Sequence, residues 1–598
     1  MPLGRSVTEA YQVLAGFAPN PMQEEVWQQL VDEEGGLLLL APTGSGKTEA
    51  VTVPGLALGR RIFVILPARS LVDDQIGRFE KMLARASSAD HTRPYALIVD
   101  TGAQSTRRVW HKGKSIGQPQ RRHLYQGDII VTTLDKFLYR FFGFGEQGKS
   151  YTFPLHIRYG LRPTLFCFDE AHSYDAVAWT NFRLLLRTLY EKGLDVIAMT
   201  ATMPSAFADE LDFLTSLDWI NGSNRARLDA FSGQGRPCRS LTFLPVPLSE
   251  VVEKLVALGK QSLSLQRRVI LSVETVRDAV AVFRALNGQA NNQVLLYHGR
   301  LTAPRRQQVY ADLKSREAEG RSYLLITTSA IEVGCDLDAH TLITQLPNPE
   351  QLLQRVGRCN RRGKIPDAQV IVVGQEIPSY LTTLTTEQQA AYVETLQAQN
   401  GKLLDTTAIQ AHIAKEPNPD YRVEIAFQML YEYVYEAATV NKGLHDKGLV
   451  ITRSWEPSIT LCTGIENENR LLNPVQVSLE RCATANDSSL TPGCTVYVRT
   501  FGFGDQERRP RLEPLSGGWR CAYLSDLVAK VPEEFYNDDL GYADLPRLFR
   551  LGGRRGYQKM LFLPLEGDKG AWLWYIAPLE AGTSEDQETD ADNEEQDE

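Results

Sequence analysis

Three short runs in this 598-residue chain carry residue types at spacings suited to chemistry. The first, Ala41-Pro42-Thr43-Gly44-Ser45-Gly46-Lys47-Thr48, follows the apolar run Leu37–Leu40 and precedes a helix-like stretch. Glycines in that setting let backbone N–H groups turn inward around phosphate oxygens, and the helix N-terminus adds partial positive charge. Thr43, Gly44, Ser45 and Gly46 make the cradle, Lys47 neutralises the β- and γ-phosphates, and the Thr48 hydroxyl binds Mg2+. Ala41 replaces the usual first glycine, a mild departure at a position that does not touch phosphate. The second run, Asp169-Glu170-Ala171-His172, closes another strand. Asp169 can hold Mg2+, and Glu170 can orient and deprotonate an attacking water. Adjacent acids after an apolar strand otherwise make a solvated turn; the phosphate loop upstream favours catalysis. The third run, Gln354-Arg355-Val356-Gly357-Arg358-Cys359-Asn360-Arg361, spaces three arginines three apart, which on a helix puts them on one face. If a second domain closes on the first, Arg358 and Arg361 become arginine fingers at the γ-phosphate. Gln354 completes the catalytic set with Lys47 and Glu170. The chemistry expected is nucleoside triphosphate hydrolysis, with ATP and Mg2+ as cofactors.

These residues need strand ends and loops to hold them. Residues 37–375 alternate short β-branched or Leu-rich runs with helix-like stretches, the pattern of α/β domains with parallel sheets. Strands are expected at Leu37–Leu40, Ile62–Leu66, Tyr95–Val99, Asp128–Val131, Thr164–Phe168 and Val196–Met199. The polar stretch Asn221–Arg239 reads as an interdomain linker. A second series follows at Arg268–Ser272, Val294–Tyr297, Tyr323–Thr327, Leu342–Gln345 and Val370–Val373. The fold class expected is therefore α/β, with two tandem parallel-sheet domains at 1–225 and 240–376. A mixed accessory domain, helical and then strand-rich, is expected at 377–582, and an acidic tail at 583–598.

Composition is that of an ordinary globular protein, 43% hydrophobic and 23% charged. No apolar run approaches the ~18 residues of a spanning helix, and no signal pattern opens the chain, so no membrane partner is expected and a cytoplasmic location is. Eight scattered cysteines never form a CxxC pair, which argues against zinc, iron–sulfur or disulfide frameworks. The net charge of −9 looks wrong for a nucleic-acid binder until it is located. The tail from Thr583 to Glu598 carries nine carboxylates and no Lys or Arg, so the body is neutral (−9 − (−9) = 0). Such a tail is expected to be disordered, either as a solubiliser or as a nucleic-acid mimic competing for a basic groove.

The set of motifs resembles a superfamily 2 helicase over residues 17–375, which implies two RecA-like domains. Phe17–Gln23 resembles the adenine-recognition element, with Gln23 on the base. Pro67-Ala68-Arg69-Ser70-Leu71 resembles motif Ia, with Arg69 a nucleic-acid contact, and Thr132-Thr133 the next strand-contacting motif. Thr200-Ala201-Thr202 resembles motif III, Ser272–Thr275 motif IV, and Thr328–Asp336 motif V. The resemblance implies that Thr200 and Thr202 couple ATP state to the other domain. It also implies that Thr133, Ser272 and Thr328 touch the nucleic-acid backbone, and that Asp336 lies near the ribose. Within the superfamily the chain is most similar to the CRISPR-associated helicases of type I interference. Asp169-Glu170-Ala171-His172-Ser173-Tyr174-Asp175, Thr200–Pro204 and Leu352–Gly363 carry that likeness. Pro67–Leu71 departs from the Pro-Thr-Arg-Glu-Leu of DEAD-box RNA helicases, which weighs against an RNA remodeller.

That resemblance implies a 3′→5′ translocase on single-stranded DNA, recruited by a crRNA-guided surveillance complex. The family's N-terminal HD nuclease has no counterpart before Phe17, and His445-Asp446 reads as a turn. The expectation is a helicase of subtype I-D or I-A kind, with cutting on a separate nuclease subunit. A repair or RNA helicase of the same superfamily stays open, as does an ATP-gated clamp. Two weaker features remain. Arg107–Arg122 reads as a basic loop for phosphate or the recruiting complex, or as an ordinary solvated loop. Arg508, Arg509, Arg511, Arg547, Arg550, Arg554 and Arg555, interleaved with Phe501, Trp519 and Tyr557, can build a stacking channel for single strands or simply be surface charge and core aromatics.

Overall fold

Alternate residues along the first sheet divide between two cores, as parallel strands covered on both faces require. The computed structural model describes residues 3, 6–32, 35–42, 44–101, 105–120, 125–143, 163–171, 174–201, 205–232, 238–287, 293–332, 335–413, 419–436, 450–452, 454–467, 470–485, 488–501, 510–523, 526–555, 558–565 and 570–577. Among them the first sheet comprises Gly36–Leu40 (β1), Arg61–Leu66 (β2), Tyr95–Asp100 (β3), Ser105–His111 (β4), Lys114–Gln120 (β5), Ile129–Thr133 (β6), Thr164–Asp169 (β7), Asp195–Thr200 (β8) and Thr215–Asp218 (β9). Their order is β5-β4-β3-β6-β2-β7-β8-β1-β9. Leu37, Leu39, Val64, Val131 and Cys167 join one core; Leu38, Phe63, Ile65, Ile130 and Phe166 join the other. Seven strands run parallel, and β4 and β5 add an antiparallel hairpin at one edge.

The hairpin corrects the reading of Arg107–Arg122 as a loop. His111 pairs with Lys114 across a two-residue turn, Lys112-Gly113, with φ of 50° and 76°. Two consecutive positive φ values match a type I′ turn, whose twist suits two antiparallel strands. The linker reading of Asn221–Arg239 also changes, because Gly222–Ser232 is a helix whose Leu228 joins the first lobe's core.

The second lobe has six strands: Ser240–Leu244 (β10), Arg268–Ser272 (β11), Val294–Tyr297 (β12), Tyr323–Thr327 (β13), Thr341–Gln345 (β14) and Gln369–Val373 (β15). All pair in parallel, in the order β10-β15-β14-β11-β13-β12.

The helical stretch after residue 377 does not form its own core. Tyr392, Leu396 and Ile409 pack into the second lobe. The helix Tyr421–Tyr431 then places Phe427, Leu430 and Tyr431 in the first lobe's core. Polar contacts fix that return: Asp420 N donates to Thr180 Oγ1 at 2.9 Å, Tyr435 OH to Phe141 O at 2.6 Å, and Asn181 Nδ2 to Ile451 O at 2.7 Å. Both lobes and these helices make one compact unit through His445, so the expected domain 377–582 divides.

A second unit, chiefly Ser454–Asn537 and Gly541–Glu598, holds two five-stranded sheets and a two-stranded ribbon. The two larger sheets share one core that includes Ile459, Leu527, Leu561 and Tyr575. No helix among the described residues is long and apolar enough to cross a membrane.

Candidate functional site

Strand order β7-β8-β1 sets three functional strand ends side by side: Asp169 closing β7, Thr200 closing β8, and the phosphate loop leaving β1. Ala41 N donates to Thr200 O at 3.0 Å, which ties the loop to the middle strand. Gly44 and Gly46 both have φ of 83°, and Gly46 caps the helix Lys47–Ala57 in the left-handed region. A Cβ at Gly46 would lie 2.5 Å from Gln23 Nε2, so conformation and space both require glycine there.

Gln23 and Asn20 hold this loop from outside. They form a capping box at the helix Pro21–Asp32: Gln23 N donates to Asn20 Oδ1, and Asn20 N to Gln23 Oε1, each at 3.0 Å. Gln23 Nε2 donates to Gly46 O at 3.1 Å, and Asn20 Nδ2 to Ser45 O at 2.9 Å. The residue expected on the adenine thus braces the phosphate loop. Asn20 was missed by sequence reasoning, although Asn-Pro-x-Gln before a helix is a legible capping signal.

The loop's donors fit a phosphate group. Lys47 is buried and turned into the loop, its Nζ donating to Ala41 O at 3.1 Å and Pro42 O at 3.4 Å. Ser45 Oγ is buried without a hydrogen-bond partner. Thr43 lies outside the described residues. For Mg2+, the buried Thr48 hydroxyl and the Asp169 carboxylate supply hard oxygen donors, the kind this ion prefers. Burial, with help from Glu170, pushes Asp169 up to about 7 against the pull of Lys47, as expected of a carboxylate suited to a cation. Glu170 sits at φ 53°, a left-handed conformation for a non-glycine residue, with its N–H donating to Asp169 Oδ1 at 2.9 Å.

In the second lobe the three arginines do not share a helical face. The helix Pro349–Val356 ends at Gly357, and Arg358 and Arg361 follow in a turn with Asn360 at φ 46°. Arg355, fully buried, bonds Glu332 through Nε at 2.8 Å, Glu274 through Nη1 at 2.7 Å, and Thr344 Oγ1 at 2.9 Å. Burial pushes Glu332 up to about 7 against the pull of Arg355, with repulsion from Glu274 added. The same residue holds Arg358 through its backbone: Arg358 Nη2 donates to Glu332 O at 2.6 Å, and Nε to Ile331 O at 3.1 Å. Burial and then Arg361 hold the Arg358 pKa below the usual arginine range, and the Glu170 charge opposes that shift. Arg361 Nε meets Asp336 Oδ1 at 3.2 Å, while Lys314 Nζ donates to Asp336 O at 2.6 Å. Asp336, expected near the ribose, therefore orders a candidate finger. Gln354 is half-buried on the helix. Glu274 and Glu332 fall inside the runs that resemble motifs IV and V, where no role was expected of them, and Lys314 carried no sequence signal beyond its type.

The expected nucleic-acid contacts lie along strand ends. Thr133 closes β6 and is buried at the N-cap of Leu134–Phe141, Ser272 closes β11 with its Oγ buried and unpartnered, and Thr328 is buried one residue past β13. Arg69 is exposed at the start of Arg69–Ala89. Thr202 and His445-Asp446 lie outside the described residues.

Comparison with known proteins follows this division into lobes. Residues 20–211 match the DEAD/DEAH box helicase family model, and residues 266–364 match the model for the C-terminal part of CRISPR-associated nuclease/helicase Cas3. The chain is 24% identical over 370 residues to the CRISPR-associated nuclease/helicase Cas3 of Methanothermobacter thermautotrophicus, covering 60% of this chain and 42% of that protein. It is 25% identical over 385 residues to the CRISPR-associated helicase Cas3 of Thermoproteus tenax, covering 61% and 60%. The crystal structure of T. fusca Cas3 with AMPPNP superposes with a TM-score of 0.58 at 17% identity, covering 82% of this chain and 66% of that one, a likeness of fold. The chain spans less than two thirds of the length of each of these proteins. Its first lobe is therefore similar to the DEAD/DEAH box helicases, and its second to the C-terminal part of Cas3.

Proposed function

We propose that the chain is an ATP-driven translocase on single-stranded DNA, moving 3′→5′. The reading rests chiefly on one arrangement: Lys47, Thr48, Asp169 and Glu170 meet at neighbouring strand ends, and Arg358 of the second lobe lies within reach of the Glu170 charge. Gln23 braces the phosphate loop and reads the base with its remaining amide valence. Thr43, Gly44, Ser45 and Gly46 cradle the phosphates, and Lys47 neutralises them. Thr48 and Asp169 would hold Mg2+, which when bound offsets charge on the β- and γ-oxygens. Glu170 orients the attacking water and accepts its proton. Arg358 and Arg361 stabilise charge on the transferring phosphoryl group, Asp336 lies near the ribose and orders Arg361, and Gln354 lines the same edge. Arg69, Thr133, Ser272 and Thr328 contact the DNA backbone. Opening a base-pair step costs about 1.4 kcal/mol, within reach of ATP-coupled closure.

The names of the relatives support recruitment by a crRNA-guided surveillance complex. Strand cutting is assigned to a separate nuclease subunit; metal-dependent DNA degradation by the purified chain, abolished by His445→Ala, would overturn that assignment. The primary test is ATP hydrolysis with no nucleic acid, with single-stranded DNA and with single-stranded RNA, using Glu170→Gln as control. Stimulation by DNA that disappears in Glu170→Gln is expected. Stimulation mainly by RNA would make the chain an RNA remodeller instead.

A further inference from the structure

One aromatic row has no place in the nucleotide site. In the C-terminal unit, strand pairing aligns Arg550, Phe562, Trp572 and Trp519 across four strands of one sheet. Directly paired residues carry their side chains on the same face. The other face of these strands supplies Leu561, Leu573 and Tyr575 to the core. The Phe562 and Trp572 ring centroids lie 4.8 Å apart, and those of Trp572 and Trp519 lie 5.2 Å apart with planes within 15°. Trp519, on the edge strand Gly518–Cys521, is 61% exposed.

Two glycines let the rings lie down on the sheet. A Cβ at Gly552 would fall 2.1 Å from the Trp572 ring, and one at Gly570 would fall 1.8 Å from Phe562. Covering a glycine with a ring is itself stabilising in sheets, and that role accounts for Phe562 and Trp572. It does not account for Trp519, which covers no glycine and leaves most of its indole in water. The charge beside the row is positive. Arg550 adjoins Phe562 with an Nε that has no hydrogen-bond partner, and neither this row nor the next contains a carboxylate.

A flat, exposed, stacked aromatic surface flanked by a guanidinium group suits a ligand with aromatic faces and a polyanionic backbone. We propose that Trp519, Trp572 and Phe562 form a stacking platform for the bases of single-stranded DNA, with Arg550 on its phosphates. The proposal rests on the reading of the chain as a single-strand translocase and gives its C-terminal unit a grip on the strand.

The test uses the full chain and labelled (dT)20, followed by fluorescence anisotropy without nucleotide. Stacking against one ring predicts that Trp519→Ala weakens binding by about 5- to 100-fold. Trp519→Phe, which keeps a ring, restores most of the affinity, and DNA-free ATP hydrolysis stays unchanged in both. Unaltered affinity in Trp519→Ala overturns the platform, as does an equal loss in Trp519→Phe. Failure of the unmodified chain to bind (dT)20 overturns the translocase reading and the platform with it.

Discussion

The two lobes begin a helix with the same four-residue pattern, and each uses it differently. In the first, Asn20-Pro21-Met22-Gln23 closes a capping box and then reaches out to the carbonyls of Ser45 and Gly46. In the second, Asn348-Pro349-Glu350-Gln351 closes the same box, but Asn348 holds the connecting segment through Leu381 O at 2.9 Å and Thr383 N at 3.1 Å. The contrast extends to the rest of each site. The first lobe presents backbone N–H groups, glycines and a few acids around a loop. The second buries its charges in a network in which Glu332 grips Arg355 by its side chain and Arg358 by its carbonyl. A cradle must admit a ligand, whereas a finger must be held stiffly enough to meet one.

That contrast can be broken most severely at Arg358. Arg358→Ala should keep ATP binding, measured with a fluorescent nucleotide, and lower kcat by about 10³-fold or more; unchanged turnover would remove the finger from the site. Arg355→Ala leaves Glu274 and Glu332 buried without their cation, so urea unfolding should show a loss of about 3–5 kcal/mol. Arg355→Lys should restore much of that stability while kcat stays low and KM changes little, because only a fork bonds both acids and Thr344 at once. A third effect concerns His298, just past β12, whose pKa burial and Arg300 lower from 6.5 to about 4. The folded state resists a proton that the unfolded chain accepts near 6.5. Stability is therefore full above pH 6.5 and falls as pH drops toward 4, by about 2 kcal/mol at pH 5. His298→Asn should flatten that part of a urea-midpoint profile. The smallest effect sharpens the comparison itself. Gln23→Ala and Gln351→Ala should each cost about 1 kcal/mol of stability, but only Gln23→Ala should raise KM for ATP.

The central strands were legible because burial on both faces makes them continuous β-branched or leucine runs. Arg268–Ser272, Val294–Tyr297 and Tyr323–Thr327 match expectation to the residue, and the other expected strands agree to within one or two residues at an end. Strands without such runs were not legible. Thr215–Asp218 is mostly exposed, and β4 opens with Ser105-Thr106-Arg107-Arg108, whose place is set by pairing with β3. The phosphate loop and the Asp169-Glu170 pair could be read because their chemistry needs contiguous residues. The arginine geometry could not: a spacing of three suggested one helical face, although Gly357 after the apolar Val356 marks the helix end that separates Arg355 from its neighbours. Partners outside every motif, such as Lys314 on Asp336, have no local pattern to betray them, and even Glu274, inside the motif IV run, gave no sign that it pairs with Arg355.

After building the second lobe, the chain returns to the first through Phe427, Tyr431 and Tyr435. The backbone therefore crosses between the lobes twice. A body tethered at one point can swivel in any direction, but one tethered at two turns most easily about the line joining them. Opening and closing would then behave as a door on two pins, bringing Arg358 back along the same arc each time.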